Sequence, residues 1–218
     1  MLPYTPPLMR GGVFLIHTTH AVFAAALTEV MLVSEHAPIS WQAAATIAVA
    51  FVVAPVPDID QPESWVSRHI PGASLVSKFI RHRTLTHSLL VSVLLYLVLF
   101  GLGFHIPDWL ATGIFMGWVS HWLIDLVNPM GVQLFYPLPW WVKPPVPWLA
   151  IGVESPGESL IRALMRVFVT VLTLSYLLVH APPMLQKAAG PLETYALRWV
   201  GLWTWPWLGT VCHVLHLR

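Results

Sequence analysis

The chain alternates long apolar stretches with short polar connections that are rich in proline. Five stretches approach the roughly 20 apolar residues that a helix needs to cross a bilayer. They are residues 12–33, 39–56, 85–104, 109–127 and 164–179. A further stretch, 195–217, is rich in tryptophan, which prefers the headgroup level of a membrane. The pattern predicts an all-α, polytopic membrane bundle of about five spanning helices plus interfacial helices, such as one near 74–80, in a single domain over residues 1–218.

Composition excludes several other classes of protein. Of 218 residues, 56% are hydrophobic and only 10% are charged, whereas a soluble domain is about 25% charged. High hydrophobicity excludes intrinsic disorder, and a net charge of +1 gives no field that would recruit nucleic acid. The single cysteine, Cys212, excludes a disulfide framework or a thiolate zinc site within one chain. Two histidines in the first stretch, His17 and His20, argue against a cleaved signal peptide there.

The basic residues give the bundle an orientation. If the five stretches cross alternately, eight of the eleven basic residues fall on one side. They are Arg10, Arg68, Lys78, Arg81, Arg83, Lys143, Arg162 and Arg166. The other side receives only Lys187, Arg198 and Arg218. Because cytoplasmic loops carry the excess of lysine and arginine, the first side is predicted to be cytoplasmic, together with the long segments 57–84 and 128–163.

Two aspartates follow the second apolar stretch. Asp58 and Asp60 lie in the run Pro-Asp-Ile-Asp-Gln-Pro, and its prolines keep the loop from continuing as helix. An Asp-x-Asp pattern suits a divalent cation, while a solvated turn is the alternative interpretation.

Two histidines lie in the next polar segment. His82 and His87 are five residues apart, so they would not share a face of one continuous helix. If Thr84 is the N-cap of the third helix, His82 lies in the preceding loop and can fold back beside His87. A basic segment flanking the membrane is the alternative, and Arg83 fits it equally well.

A histidine and an aspartate share one face of the fourth stretch. His121 and Asp125 are four residues apart, which stacks them on a helix. They could present an imidazole and a carboxylate to one metal ion, or Asp125 could orient the ring of His121. A buried hydrogen bond that merely satisfies both groups is the alternative. Because ionisable residues inside a membrane are costly, we favour a functional role.

The predicted topology brings these groups to one boundary of the membrane. The residues at the cytoplasmic boundary are Asp58, Asp60, His82, His87, His121, Asp125 and Glu158. His20 faces the same boundary from within the first helix. Glu158 is either a carboxylate that complements a helix dipole or a further ligand or general base. Histidine and carboxylate ligands without thiolates fit a divalent metal ion, zinc first, with manganese or iron as alternatives.

The order of these motifs resembles the YdjM family of membrane-bound proteins over about residues 13–165. The motifs are Thr19-His20, Pro57-Asp58-Ile59-Asp60, His82-Arg83-x-x-Thr86-His87-Ser88, Ser120-His121-x-x-x-Asp125 and Ser155-x-x-Glu158. The resemblance implies a prokaryotic inner membrane protein with metal-dependent hydrolase chemistry. A more distant analogy at the level of the fold, with zinc enzymes of the phospholipase C and P1 nuclease type, suggests phosphoester hydrolysis.

The sequence thus predicts a hydrolase site at the cytoplasmic membrane interface. His82 or His87, His121, Asp125 and one or both of Asp58 and Asp60 would hold the ion. The depth of the site favours a phosphoester of a lipid or another amphiphile as the substrate. Further roles are predicted for three residues, with Glu158 or Asp60 accepting a proton and Arg83 binding an anionic group. The alternative is a non-enzymatic membrane protein with a structural or sensory metal site, whereas transport is disfavoured because polar residues do not continue to the other face.

Overall fold

The computed structural model describes residues 16–145, 151 and 155–180, and this part of the chain is helical. The helices are α1 (Ile16–Ser34), α2 (Trp41–Val53), α3 (Trp65–His69), α4 (Ala73–Phe79), α5 (Leu89–Tyr96), α6 (Asp108–Asp125) and α7 (Pro156–Val179). Two 3₁₀ turns, Val56–Asp60 and Leu85–His87, and one π-helical turn, Leu97–Gly101, connect or extend them. Within the described ranges no β-strand occurs, only an isolated antiparallel bridge between Val132 and Val142. The prediction of an all-α protein is confirmed for this part.

Serine caps set the starts of several helices. Ser40 caps α2 by accepting a hydrogen bond from the backbone N–H of Ala43. Ser155 caps α7 by accepting one from Glu158, and Pro156 occupies the first helical position, where proline is pre-organised for a helix. Helix α7 therefore begins well before residue 164, where the apolar stretch begins.

The third apolar stretch, 85–104, is not one regular helix. It divides into a 3₁₀ turn, α5 and the π-helical turn. Ser88 caps α5 by accepting from the backbone N–H of Val91, whereas the hydroxyl of Thr84 donates to the carbonyl of Arg81 at 2.5 Å. The predicted N-cap at Thr84 is therefore wrong for α5, because the polypeptide makes an additional turn before the helix begins.

Helices α2 and α6 approach each other closely through two glycines. A Cβ atom at Gly113 would lie 2.7 Å from Cβ of Val49, and one at Gly117 would lie 2.7 Å from the backbone oxygen of Ala50. Small residues four apart let helix backbones come into direct contact in a membrane. Helix α1 packs on both α2 and α6, and α7 packs on α1, so these four helices form the frame of the molecule.

Large apolar side chains cover the outside of this frame. Exposed examples on α7 are Leu160, Leu164, Val167, Leu174 and Leu177. Two helical segments, Trp41–Asp60 and Pro156–Leu178, are long and apolar enough to cross a membrane. The other three predicted crossings stay predictions, and the tryptophan-rich stretch 195–217 lies outside the described residues.

Candidate metal centre

The predicted ligands come from separate parts of the chain and meet at one end of the helical frame. Helix α1 contributes His20, the 3₁₀ turn after α2 contributes Asp58 and Asp60, and the end of α6 contributes His121 and Asp125. The loop before α5 adds His82, Arg83 and His87. All are buried except His82, whose side chain is 26% exposed. The convergence predicted from the sequence is therefore present in the structure.

Two imidazoles form the middle of this cluster. The Nε2 atoms of His87 and His121 lie 2.9 Å apart, and both residues are completely buried. An oxygen of Asp125 lies 3.3 Å from Nε2 of His87, and an oxygen of Asp58 lies 3.3 Å from Nε2 of His121. His20 stacks on His121 with ring centroids 3.9 Å apart. Two nitrogens and two carboxylates thus point toward one small volume.

Three overlapping sets of side chains have the spacing of metal ligands. Within each set the candidate ligand atoms all lie within 4.8 Å of one another. The sets are His20, Asp58 and His121; Asp58, His82 and His87; and His87, His121 and Asp125. Asp58, His87 and His121 each belong to two sets, so the arrangement is one continuous cluster rather than separate sites.

The ring of His121 is oriented by a backbone carbonyl. Its Nδ1 lies 2.6 Å from the oxygen of Ala54, and because a carbonyl only accepts, Nδ1 carries the proton. The Ala54 oxygen is available because the N–H of Asp58 donates instead to Pro55, in the 3₁₀ turn. The proline-rich turn therefore supplies the acceptor that fixes the imidazole.

Asp60 orients His82 directly and His87 through Thr86. One of its oxygens lies 2.7 Å from Nδ1 of His82, and the other accepts from the hydroxyl of Thr86 at 2.5 Å and from the N–H of Arg83 at 3.2 Å. Since the one hydroxyl proton of Thr86 is directed to Asp60, the Thr86 oxygen accepts from Nδ1 of His87 at 2.8 Å. Such outer partners fix the tautomer of a metal-binding histidine.

Arg83 connects Asp60 with Asp125. Its φ angle is +63°, in the left-handed region that is uncommon for residues other than glycine. The backbone N–H thereby faces Asp60, while the buried guanidinium faces Asp125, with Nη2 3.3 Å from one oxygen and Nε 3.2 Å from the other. Strained backbone of this kind concentrates at functional sites.

Glu158 lies beside the cluster and outside the three ligand sets. It is buried near the start of α7 and accepts a hydrogen bond from the hydroxyl of Thr19 at 2.7 Å. A cavity of about 210 Å³ between α1, α6 and α7 is lined by Glu158 together with His20 and Asp125. Glu158 therefore lines the same cavity as two members of the cluster.

Three participants were missed by the sequence analysis. They are the Ala54 carbonyl, Thr86 and Thr19. The prolines at 55 and 57 were a usable signal, since they release carbonyls at the end of α2. Thr19 and Thr86 both stood inside motifs that carried the resemblance, but neither was given a role there.

The donor set fits a divalent ion. Nδ1 of His20 is buried and makes no hydrogen bond within the described residues. One oxygen of Asp125 also makes no hydrogen bond there, although it lies 3.2 Å from Nε of Arg83 and 3.3 Å from Nε2 of His87. Buried polar groups are normally hydrogen-bonded, so these atoms suit a site that holds a cation. Nitrogen and carboxylate oxygen without sulfur are the ligands of zinc, manganese or iron.

Comparison with known proteins relates this cluster to a family of membrane proteins. The chain is 35% identical over 120 residues to the inner membrane protein YdjM of Escherichia coli (strain K12), which covers 52% of this chain and 58% of that protein. The same values hold for the inner membrane protein YdjM of Shigella flexneri. The protein YvsG of Bacillus subtilis (strain 168) is 33% identical over 84 residues, covering 38% of this chain and 51% of that protein.

These alignments therefore span little more than half the length of the curated relatives. No solved structure matches the chain. The family described as YdjM inner membrane protein matches residues 15–184, a range that includes every residue of the cluster. The resemblance inferred from the motifs is confirmed, and the chain belongs to the YdjM family of inner membrane proteins.

Proposed function

We propose that this protein is a membrane-bound, metal-dependent hydrolase that acts on a phosphoester. The proposed site is the cluster around His87 and His121, at the cytoplasmic face of a multi-pass bundle. The main observation behind this proposal is that the Nε2 atoms of His87 and His121 lie 2.9 Å apart, although both rings carry their proton on Nδ1.

The tautomers of His87 and His121 explain why the short distance between their Nε2 atoms indicates a bound cation. Nδ1 of His121 donates to the Ala54 carbonyl, and Nδ1 of His87 donates to Thr86. In the neutral rings both Nε2 atoms therefore present lone pairs, because an imidazole carries one proton. Two lone pairs at this separation repel unless a proton or a cation lies between them. The adjacent carboxylates of Asp58 and Asp125 favour a cation.

Each residue of the cluster then has a chemical role. His87, His121, Asp58 and Asp125 would hold the ion, with His20 and His82 as further nitrogen ligands, and zinc is the first choice of metal. When bound, such an ion supplies Lewis acidity that activates water and polarises a phosphoryl oxygen. We assign Asp60 to orientation of His82 and His87, since three donors already occupy its oxygens.

Arg83 and Glu158 are the proposed catalytic groups. Nη1 of Arg83 has no hydrogen-bond partner within the described residues, and guanidinium binds phosphate oxygens well. Glu158 lines the cavity together with His20 and Asp125, and we assign it the role of accepting a proton from an attacking water. The buried position of both groups strengthens their electrostatic effect on a bound anion.

Metal analysis of matched variants tests the assignment. We expect His121→Ala and Asp125→Ala to lose more than about 100-fold in zinc affinity, since even outer partners of metal ligands contribute 10- to 100-fold. The protein would be purified in lipid nanodiscs, and its metal content and hydrolysis of a panel of phosphomonoesters and diesters would be measured. His105→Ala and Asp108→Ala change exposed residues and serve as controls.

Unchanged metal content in His121→Ala and Asp125→Ala would overturn the site.

The second candidate function is structural bracing, in which a bound metal ion holds helices together. It is favoured by the fact that the cluster joins α1, the turn after α2 and α6. Glu158→Gln separates the two: the hydrolase loses turnover while it keeps its metal, whereas a brace shows no turnover in the wild type and unfolds on metal removal.

A further inference from the structure

The cavity beside the cluster has both ionisable and apolar side chains in its wall. His20, Asp125 and Glu158 line it together with Phe23 of α1 and Ile161 of α7. The remaining lining residues include Leu123, Ile124, Val127 and Met165. Such a lining suits a ligand that has a charged group and an apolar group.

Its size suits a hydrocarbon segment. The cavity measures about 210 Å³, and an apolar cavity of roughly 150 Å³ already stays dry and binds an apolar molecule. Water would find few partners along the wall formed by Phe23, Ile161 and Met165. An alkyl chain gains by burial there because transfer of apolar surface from water is favourable.

A basic side chain contacts the wall of the cavity. Nη1 of Arg162 donates to the hydroxyl of Thr19 at 3.3 Å, and Thr19 lines the cavity. The carboxylates of Asp125 and Glu158 would repel an anionic group, so an anion needs the compensating charge of the ion of the cluster, to which Arg162 adds from behind Thr19. A headgroup with negative charge therefore matches the ionisable part of the lining once the metal is bound.

One of the helices that line the cavity also has an apolar outer face. Residues of α1, α6 and α7 line the cavity, and α7 carries the exposed residues Leu160 and Leu164. Exposed apolar side chains of this kind suit contact with lipid, which agrees with a ligand that comes from the bilayer.

We infer that the cavity between α1, α6 and α7 binds the alkyl chain of an anionic amphiphile whose headgroup lies at the metal cluster. This inference rests on the proposed function and narrows it to substrates with a hydrocarbon chain. The chain subsite consists of Phe23, Ile161 and Met165, and the headgroup subsite of the cluster with Arg162 and Glu158.

A series of water-soluble alkylphosphonates tests the inference. Binding of methyl- to hexylphosphonate to the zinc-loaded protein in nanodiscs would be measured by calorimetry, with empty nanodiscs as the blank. Each methylene that enters the cavity should strengthen binding about fourfold. Ile161→Trp fills the cavity and should abolish this increase, whereas Leu160→Trp, on the exposed side of the same helix, should retain it.

The outcomes separate this inference from the proposed function. Equal affinity across the series, or an unchanged increase in Ile161→Trp, would overturn the chain subsite while leaving the hydrolase intact. An increase that Ile161→Trp removes, without hydrolysis of the matching alkyl phosphates, would support the subsite and overturn the hydrolase. Failure of every phosphonate to bind would overturn both.

Discussion

The contact between α2 and α6 has two regions built in opposite ways. In the region around Gly113 and Gly117, which we call the dry region, the two glycines lie directly against Thr46, Val49 and Ala50 of α2 because they have no side chain of their own. At the polar end, one helical turn beyond Gly117, His121 reaches the Ala54 carbonyl, and its Nε2 lies 3.3 Å from an oxygen of Asp58. The first region depends on the missing side chains of two glycines, and the second on the pairing of polar side chains.

The dry region determines whether the polar end can form. A hydrogen bond of 2.6 Å from His121 to Ala54 requires the two helix axes to remain close, and this closeness exists only because glycine stands at 113 and 117. The packing of α2 on α6 therefore restricts positions 113 and 117 to glycine, whereas helix packing elsewhere accepts a range of side chains.

Enlarging the dry region should have the largest effect. Gly117→Leu places side-chain atoms against the Ala50 backbone, and we expect a loss of about 3 kcal/mol in the free energy of unfolding, at the upper end for overpacking. The measurement is a dodecyl sulfate titration in mixed micelles. The control is Gly157→Leu, whose Cβ would lie no closer than 3.5 Å to a neighbour. Equal stability of the two variants would contradict the close approach.

A smaller effect is expected from a substitution at the polar end that leaves every proposed metal ligand unchanged. Thr86→Val removes the hydroxyl that links Asp60 to His87. The affinity for zinc should fall 10- to 100-fold, with little change in the unfolding of the metal-free protein. Competition with a fluorescent chelator measures this, and Thr170→Val, on the exposed face of α7, is the control. Retention of full affinity would show that Thr86 does not orient the ring.

The smallest effect concerns a carboxylate far along α1 from the cluster. Glu29 is buried, and the hydroxyl of Thr173 donates to one of its oxygens. Thr173→Val should lower the free energy of unfolding by about 1 kcal/mol and leave zinc affinity unchanged, because this pair joins α1 to α7 without contacting the metal ligands. The same micelle titration and chelator competition apply. A shift in zinc affinity would show that the two regions are coupled through α1.

The sequence predicted the membership of the cluster better than its internal organisation. The spacing of His121 and Asp125, with the prolines around Asp58 and Asp60, was enough to bring these residues to one end. The structure gives Asp125 its nearest contacts with Arg83 and His87 rather than with His121. Such pairings depend on how distant segments approach, which no local periodicity records.

The same reasoning explains the partial success for the fold. Hydrophobic stretches located α1, α2 and α6 within a few residues, because apolar length is a local property, whereas α7 begins eight residues before the stretch that predicted it. The short α3 and the division of the third stretch into α5 and a π-helical turn were not predicted, since no local pattern of apolar residues marks either of them.

The ion pair between Arg83 and Asp125 has a consequence for the number of divalent ions that the cluster would bind. With carboxylates ionised and imidazoles neutral, Asp58, Asp60 and Asp125 outweigh Arg83 by two negative charges in a buried volume. One divalent cation restores electroneutrality there, and uncompensated buried charge is costly. A second cation would reverse the sign and require an anionic ligand such as a phosphate group. For the proposed hydrolase, occupancy by two ions should therefore be coupled to binding of its phosphoester.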